Sequence, residues 1–522
     1  MSVPTTQAEV CVYGATAAGV MAALAAARAG ADVALVEAGR HVGGMVASGL
    51  SWTDFGDHDA VSGLVREFYA TVARYYDVTI FGVKGPEPHV AEKIFADLLA
   101  DARVRVELGC PLVSVEIAAG EISGIKGPTR RFQAGVFVDA SYEGDLMAQA
   151  GVSFRVGREP RSLHGEHWAG RQPAYRPGAH NFAAIVSPFA GTPGPSPGTR
   201  APAPLLPEIV APGLDERGWP EEALGEGDGA LQAYQLRLCM TDRPGAGLPL
   251  AEPAGFDPAR FEVLARYLAV AGERLGASQL LGLVPDLLPG GKCDVNSIGP
   301  FSLNVLDGSN RTWPGAGSAA REAIYEHHRR YAHELLYFLT TGAAVPAHIR
   351  QELAWWSLAA DEFTDNAGWP HQLYVREARR MVGRHVLTEQ ELLHPGSDAS
   401  AVATGSYNID IREIERTWRY LPEYVPQAGV FNEGYLSVPV PPYSVPYGCL
   451  LPRREEAANL LVPVCCSASH VAYGSLRTEP TLMALGEAAG TAAALASRSG
   501  APPGDIDPAA IRQVLGRRQN LG

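Results

Sequence analysis

Residues 9–44 read EVCVYGATAAGVMAALAAARAGADVALVEAGRHVGG, and this stretch decides the fold. Residues 9–13 are a short apolar run rich in β-branched side chains. The run breaks at Gly14 into a turn of small residues, and an Ala-rich helix is expected from Ala17. A second apolar run, 32–36, ends in Glu37, eighteen positions after Gly19. Strand, turn, helix and acid-tipped strand at this spacing suit the adenosine diphosphate half of a dinucleotide. The helix N-terminus offers unpaired N–H groups and a favourable dipole to the pyrophosphate, and the carboxylate takes the ribose hydroxyls. Gly14, Thr16, Ala17, Ala18 and Gly19 are therefore candidate cradle residues, with Glu37 and Ala38 at the ribose. The turn departs from G-x-G-x-x-G because Thr16 places a β carbon where glycine is expected. Alone, such a loop is often just an ordinary tight turn between a strand and a helix.

The continuation narrows the cofactor. Arg40, Gly43 and Gly44 resemble the R-x-x-G-G extension with which flavoproteins contact the diphosphate, and that points to FAD rather than NAD. Met45 and Ser48 extend the same wall.

At 522 residues the chain holds roughly two to three domains' worth of structure, so its stability does not require metals or disulfides. A formal charge of −14 argues against nucleic acid or an anionic membrane as a partner. No apolar run approaches the roughly 20 residues of a membrane span, and no basic segment precedes the first apolar run. The expected location is the cytoplasm. Seven scattered cysteines without C-x-x-C spacing disfavour iron–sulfur, structural zinc and disulfide-reductase chemistry. Cys465 and Cys466 lie in an apolar run and read as small buried hydrophobes. No metal is assigned: His328 and His333 are five apart, a poor spacing for one helical face.

Along the chain, helices are expected at 62–76 and 90–102, and runs at 104–114, 121–126 and 132–138 read as a β-meander. The last of these ends in DASYEGD, residues 139–145, and Asp139 and Ala140 are candidates to close the cofactor site. Beyond 157 the texture changes. Residues 187–229 are crowded with Pro and Gly, and read as either a substrate-side lid or a surface insertion. Helical texture returns at 258–275, 318–341 and 347–360. Residues 459–466 read as a buried strand, 467–479 as a polar loop, and 480–497 as a small-residue helix with Pro480 in its first turn and Gly486 on it. In flavoproteins a helix start at this place commonly faces the flavin, which makes Gly486 a candidate contact.

These segments together resemble the FAD-dependent oxidoreductase family of glutathione-reductase-like flavoproteins. The marks are GATAAG (14–19), HVGGM (41–45), DASYEGDLMAQAG (139–151), VNSIGPFS (295–302), YVREARRMVGRHVLT (374–388), SYNID (406–410) and SASHVAYGSLRTEPTLMALGEAAGTAAA (467–494). In that family Thr or Ser at the middle of the first loop is ordinary. One departure stands out: the family implies P-Y-R-S-L-L-P before the final strand, whereas Gly448 replaces the arginine here. The resemblance implies an α/β fold, with a Rossmann-like FAD-binding domain carrying a β-meander and an inserted α+β substrate domain. Its expected bounds are 1–157 and 405–500 for the FAD-binding parts, 158–404 for the insertion and 501–522 for a C-terminal tail.

Only one dinucleotide unit is visible, so no dedicated NAD(P)H domain is expected. Electrons then come from a small-molecule substrate, with O2 or a carrier as acceptor, or from a partner reductase. The simplest chemistry is hydride transfer to flavin N5 with a protein base taking the proton. A flavin monooxygenase supplied by a reductase and a protein with purely structural FAD are the alternatives. His470 is a candidate base because it titrates near neutrality, or else it bonds loop backbone. Glu479 is a second candidate base, or a helix cap. Arg477 is a candidate for holding anionic flavin or a substrate carboxylate, or is paired to Glu479. Tyr447 and Asp54 are further candidates, and Trp52 a possible flavin wall. Arg376, Arg379 and Arg380 are expected on one helix, with 376 and 380 on the same face, as an anion site or a solvated, ion-paired face.

Overall fold

The computed structural model describes residues 3–173, 180–191, 204–209, 223–420 and 428–519. Strand β1 (Thr5–Gln7) precedes the predicted unit: β2 (Val10–Tyr13), α1 (Ala17–Arg28) and β3 (Val33–Val36). Both β2 and β3 are buried on every residue, as expected of strands covered by helices on two faces. Helices α2 (Gly63–Tyr75) and α3 (Pro88–Asp101) follow, then β4 (Arg105–Glu107). Strands β5 (Ser114–Ala118), β6 (Glu121–Lys126) and β7 (Arg131–Gln133) lead to β8 (Val136–Asp139). The parallel sheet closes with β21 (Leu460–Leu461), in the order β21-β8-β2-β3-β4. In chain order that is 5-4-1-2-3, the doubly wound arrangement in which ligands bind beyond the strand ends where the winding reverses. Here that point lies between β2 and β8, at Gly14 and Asp139.

The meander is regrouped relative to expectation. The apolar run 104–114 holds β4, which joins the parallel sheet, and ends on the first residue of β5, while the run 132–138 splits into β7 and β8 in different sheets. The second sheet, β1-β7-β6-β5, is antiparallel except where β1 runs parallel to β7.

After α4 (Asp145–Gln149), β9 (Phe154–Val156) and α5 (Arg161–His164), the chain builds a four-stranded antiparallel sheet. Its strands are β10 (Cys239–Thr241), β11 (Gly247–Leu248), β12 (Lys292–Asp294) and β13 (Ser357–Ala359). Helices α6 (Glu262–Ala271), α7 (Ala277–Leu281), α8 (Ser318–Thr341) and α9 (Ala347–Leu353) belong to the same stretch, and α9 packs on both α7 and α8. Much of the Pro/Gly-rich stretch 187–229 lies outside the described residues. Beyond β14 (Arg379–Met381) and α10 (Glu389–Leu393), three antiparallel pairs are nested in one excursion. They are β15 (Ala401–Gly405) with β20 (Tyr443–Pro446), β16 (Ile409–Ile411) with β19 (Leu436–Val438), and β17 (Glu415–Tyr420) with β18 (Ala428–Glu433).

Three expectations are corrected. Residues 374–380 are not helical: Arg379 and Arg380 lie on β14, which pairs antiparallel with β9, and Arg376 and Arg380 are 2% and 0% exposed rather than solvated. The buried guanidinium of Arg380 pairs with Glu377 three positions back and with Glu159 221 positions away, and the distant partner favours the extended backbone over an i, i+4 face. The stretch 467–479 is no polar loop, since it contains the buried helix α11 (His470–Leu476), capped by Ser469. Finally α12 (Glu479–Ser499) starts at Glu479 with Thr478 as its cap, so Glu479 is inside the helix rather than at the cap.

Helices α1 and α12 cross at glycines. A β carbon on Gly486 would meet the Ala18 carbonyl oxygen at 2.0 Å, and one on Gly490 would meet that of Ala22 at 2.0 Å. This contact binds the C-terminal segment to the N-terminal one, with the start of α12 lying about two turns beyond the start of α1. Gly486 thus serves the packing of the two helices, and it lines neither of the two cavities described below. All seven cysteines are buried and free.

Candidate active site

Thr16 resolves the irregular turn. Its hydroxyl caps α1 by accepting the Gly19 N–H at 3.0 Å, and it donates to the Ala140 carbonyl at 2.8 Å, tying the turn to the end of β8. Gly14 has φ +96° and a β carbon there would lie 2.6 Å from the Ser141 nitrogen, so only glycine allows the two strand ends to approach. The first-turn amides of Ala17 and Ala18 have no carbonyl one turn back to bond, which leaves them for an anion.

Glu37 organises the next layer. Its Oε2 accepts the Ala15 N–H at 2.6 Å and its Oε1 the Gly39 N–H at 2.7 Å, while burial pushes its pKa upward against these bonds. Gly43 donates to the Ala15 carbonyl at 2.7 Å. At Gly44, φ is +54° and a β carbon would lie 2.5 Å from the Tyr142 hydroxyl. A cavity of about 1040 Å³ opens here, walled by Gly14, Thr16, Glu37, Ala38, Arg40, Gly44, Ser48 and Tyr142 among others. The glycine cradle, the open helix start and the acid at the end of β3 fit an FAD diphosphate and ribose.

Two of the candidates act behind this wall. The Asp139 carboxylate is consumed internally, accepting the Ser141 N–H and hydroxyl and the Met147 N–H, and burial raises its pKa to about 6. Ala140 serves through its carbonyl to Thr16.

Tyr142 joins the cavity to a second, narrow pocket. Its hydroxyl accepts the Met45 N–H at 3.0 Å and donates to Glu479 Oε1 at 2.6 Å. Glu479 lines the second pocket with Val46, Leu50, Trp52, Thr53, Asp54, Tyr69, Tyr374, Arg477 and Pro480. Its other oxygen, Oε2, is buried without a partner, and burial raises the carboxyl pKa to about 7. Arg477 is not paired to Glu479. Its Nη1 donates to the Tyr374 hydroxyl at 2.9 Å and its Nη2 to Asp410 Oδ2 at 2.9 Å. Asp54 has its pKa raised, by burial first and by Asp410 second.

The remaining candidates lie elsewhere. His470 lines neither cavity: it is 3% exposed, its Nδ1 is 2.9 Å from Glu377 Oε2, and its N–H donates to Glu159. Burial, with Arg380 next in weight, drives its pKa down to about 3. Tyr447 is buried and donates to the Pro503 carbonyl at 2.8 Å, away from both cavities. At Gly448 a β carbon would stand 2.9 Å from the His385 β carbon. Sequence reasoning passed over Tyr142 and Tyr374 as functional residues. Tyr142 had one usable signal, its place three residues beyond Asp139, which ends β8.

A model of the family described as FAD dependent oxidoreductase matches residues 9–515. The chain belongs to this family. No curated protein is similar to it. Among solved structures, a thioredoxin reductase of T. acidophilum is 22% identical over 26% of this chain and 34% of its own, with a TM-score of 0.18. L-proline dehydrogenase from P. horikoshii is 18% identical over 30% of this chain and 59% of its own, at 0.24. The OxyS anhydrotetracycline hydroxylase from Streptomyces rimosus is 14% identical over 30% and 36%, also at 0.24. Each similarity covers less than two thirds of the other protein, and none bears on the reaction. As an FAD-dependent oxidoreductase the protein takes FAD as cofactor and needs both a substrate and an electron acceptor or carrier. Among the described residues no helix is long and apolar enough to cross a membrane.

Proposed function

We propose that this flavoenzyme oxidises a small molecule, with FAD in the large cavity and the reacting end of the substrate brought against Glu479 and Arg477. The observation that carries the reading is the Tyr142–Glu479 hydrogen bond, which joins a residue of the cavity wall to an acid of the pocket wall. FAD, when bound, supplies a two-electron acceptor for the hydride leaving a C–H bond beside oxygen or nitrogen, and passes the electrons on to O2 or a carrier.

The chain's own task is the proton. As the C–H electrons depart, the substrate's O–H or N–H must lose H⁺, and Glu479 is suited to take it. Tyr142 anchors Oε1 and leaves Oε2 unpartnered, and a carboxyl raised to about 7 matches the range in which a general base works best near neutrality. Arg477, held by Tyr374 and Asp410, fixes a positive charge on the same wall and orients a polar or anionic group of the substrate. Val46, Leu50 and Pro480 give that wall an apolar part that limits water. In this reading residues 158–404 carry the substrate side, supported by Tyr374 in the pocket, and 1–157 with 405–500 hold the cofactor.

Anaerobic mixing of the FAD-loaded protein with candidate alcohols, amines and amino acids tests the proposal. Bleaching of the oxidised flavin without NAD(P)H is expected. Bleaching only with NAD(P)H or a separate reductase would instead make the protein a monooxygenase, and an intact flavin under every condition would make the FAD structural.

A further inference from the structure

Three donors from distant parts of the chain converge on the wall of the large cavity: His41, Asp365 and His371. The two imidazoles are stacked with centroids 3.5 Å apart and planes 9° from parallel. Asp365 gives one oxygen to each, Oδ2 at 3.3 Å from His41 Nε2 and Oδ1 at 3.2 Å from His371 Nε2. A charge-assisted N–H···O bond is shorter, about 2.7–2.9 Å. Separations of this size are those between neighbouring donors of a Zn²⁺ held at about 2.0 Å, about 3.3 Å, and one donor atom from each of the three residues lies within 4.8 Å of the other two. His41 itself supplies the contrast, because its other nitrogen, Nδ1, is 2.9 Å from Glu92 Oε1. A hydrogen bond from Nδ1 to a carboxylate places the lone pair on Nε2, the arrangement that orients metal-ligating histidines.

We propose that His41, His371 and Asp365 bind a divalent transition-metal ion at the cavity wall, with Glu92 as the positioning residue behind His41. Two imidazoles and one carboxylate suit Zn²⁺ or Fe²⁺ and leave coordination positions for water or another oxygen donor. Parallel rings cannot aim both in-plane lone pairs at one point, so binding tilts one ring out of the stack. A second cluster shows what a satisfied site looks like. At Glu87, His89 and Glu362 the cation is already present as Lys292, whose Nζ is 2.7 Å from Glu87, 2.6 Å from Glu362 and 2.8 Å from Asp361. Among the described residues, the ion pairs of Asp365 are those with the two histidines, and no lysine or arginine takes that place. The absence of a local motif explains why sequence spacing assigned no metal.

Untagged, FAD-loaded protein, freed of metal with a chelator and exchanged into plain buffer, is titrated calorimetrically with Zn²⁺. One saturable equivalent is expected. Binding should weaken at least tenfold in D365N and H371A, and about 10–100-fold in E92Q. The Asp365 side chain is 60% exposed, so D365N keeps the fold even if H371A does not. H89A, at the second cluster, should bind like the wild type. No saturable heat in the wild type, unchanged affinity in D365N, or loss of binding in H89A would overturn the site. Unchanged affinity in E92Q would overturn the positioning role of Glu92.

Discussion

Replacing Glu479 by Gln removes a titrating proton while keeping shape and the acceptor for Tyr142. In the folded protein burial carries this carboxyl from 4.5 to about 7. Between those two values the folded chain holds a proton that the unfolded chain has released, so stability falls as pH rises through the window. At 1.36 kcal/mol per pH unit the displacement amounts to about 3 kcal/mol, fully present as a penalty above pH 7 and absent below 4.5. Relative to wild type, E479Q should therefore be more stable by less than about 1 kcal/mol at pH 5 and by about 3 kcal/mol at pH 8. Other buried acids titrate in the same range, Glu143 among them, and cancel when the two proteins are compared at each pH. The kinetic effect runs the other way. Wild-type flavin reduction should rise with pH through an apparent value near 7 as the base deprotonates. In E479Q the rate should drop by about 10²–10⁴ and lose that rise, with FAD still bound. Stopped-flow reduction and chemical denaturation at pH 5, 6, 7 and 8 check both. A variant that reduces flavin at the wild-type rate, with the same pH profile, refutes the assignment of the base.

Gly44→Ala should lower FAD occupancy at least tenfold, read as the ratio of visible to ultraviolet absorbance in purified protein, because the added carbon falls 2.5 Å from the Tyr142 hydroxyl at a positive φ. Thr16→Val removes the cap of α1 and the bond to Ala140, and should cost about 1–2 kcal/mol in denaturation midpoints while weakening FAD. His470→Ala strips a partner from buried Glu377 and should destabilise by about 1–3 kcal/mol, yet leave the flavin reduction rate per bound FAD within about twofold.

Much of the cofactor half was legible because its signals are local. A run of β-branched residues, a small-residue turn and an acid at the next strand end each report on neighbours within about thirty residues, and the backbone alone satisfies them. The reading went wrong where distant partners outweighed local pattern. Arg376, Arg379 and Arg380 carry a helical spacing, but Arg380 meets Glu159 across more than two hundred residues and Arg379 pairs with Val156 on β9. The segment around His470 looks polar in sequence, yet Ser469, His470 and Ser475 are all within 3% of full burial, with their hydrogen bonds met by Leu387 and Glu166, Glu159 and Tyr443.

What the amino-acid sequence determined by itself is the dinucleotide unit and the family, since both rest on short-range spacing and on residue types with a fixed backbone consequence. Only the tertiary structure decided what each polar group does. It assigned Thr16 to a helix cap, Asp139 to a turn and Gly486 to a helix crossing. It also brought Tyr142 to Glu479, 337 positions apart, and His41 to Asp365 and His371. Side-chain chemistry depends on burial and on partners, and these are set by how α1 and α12 pack and how β2 and β8 meet, which no window of sequence contains.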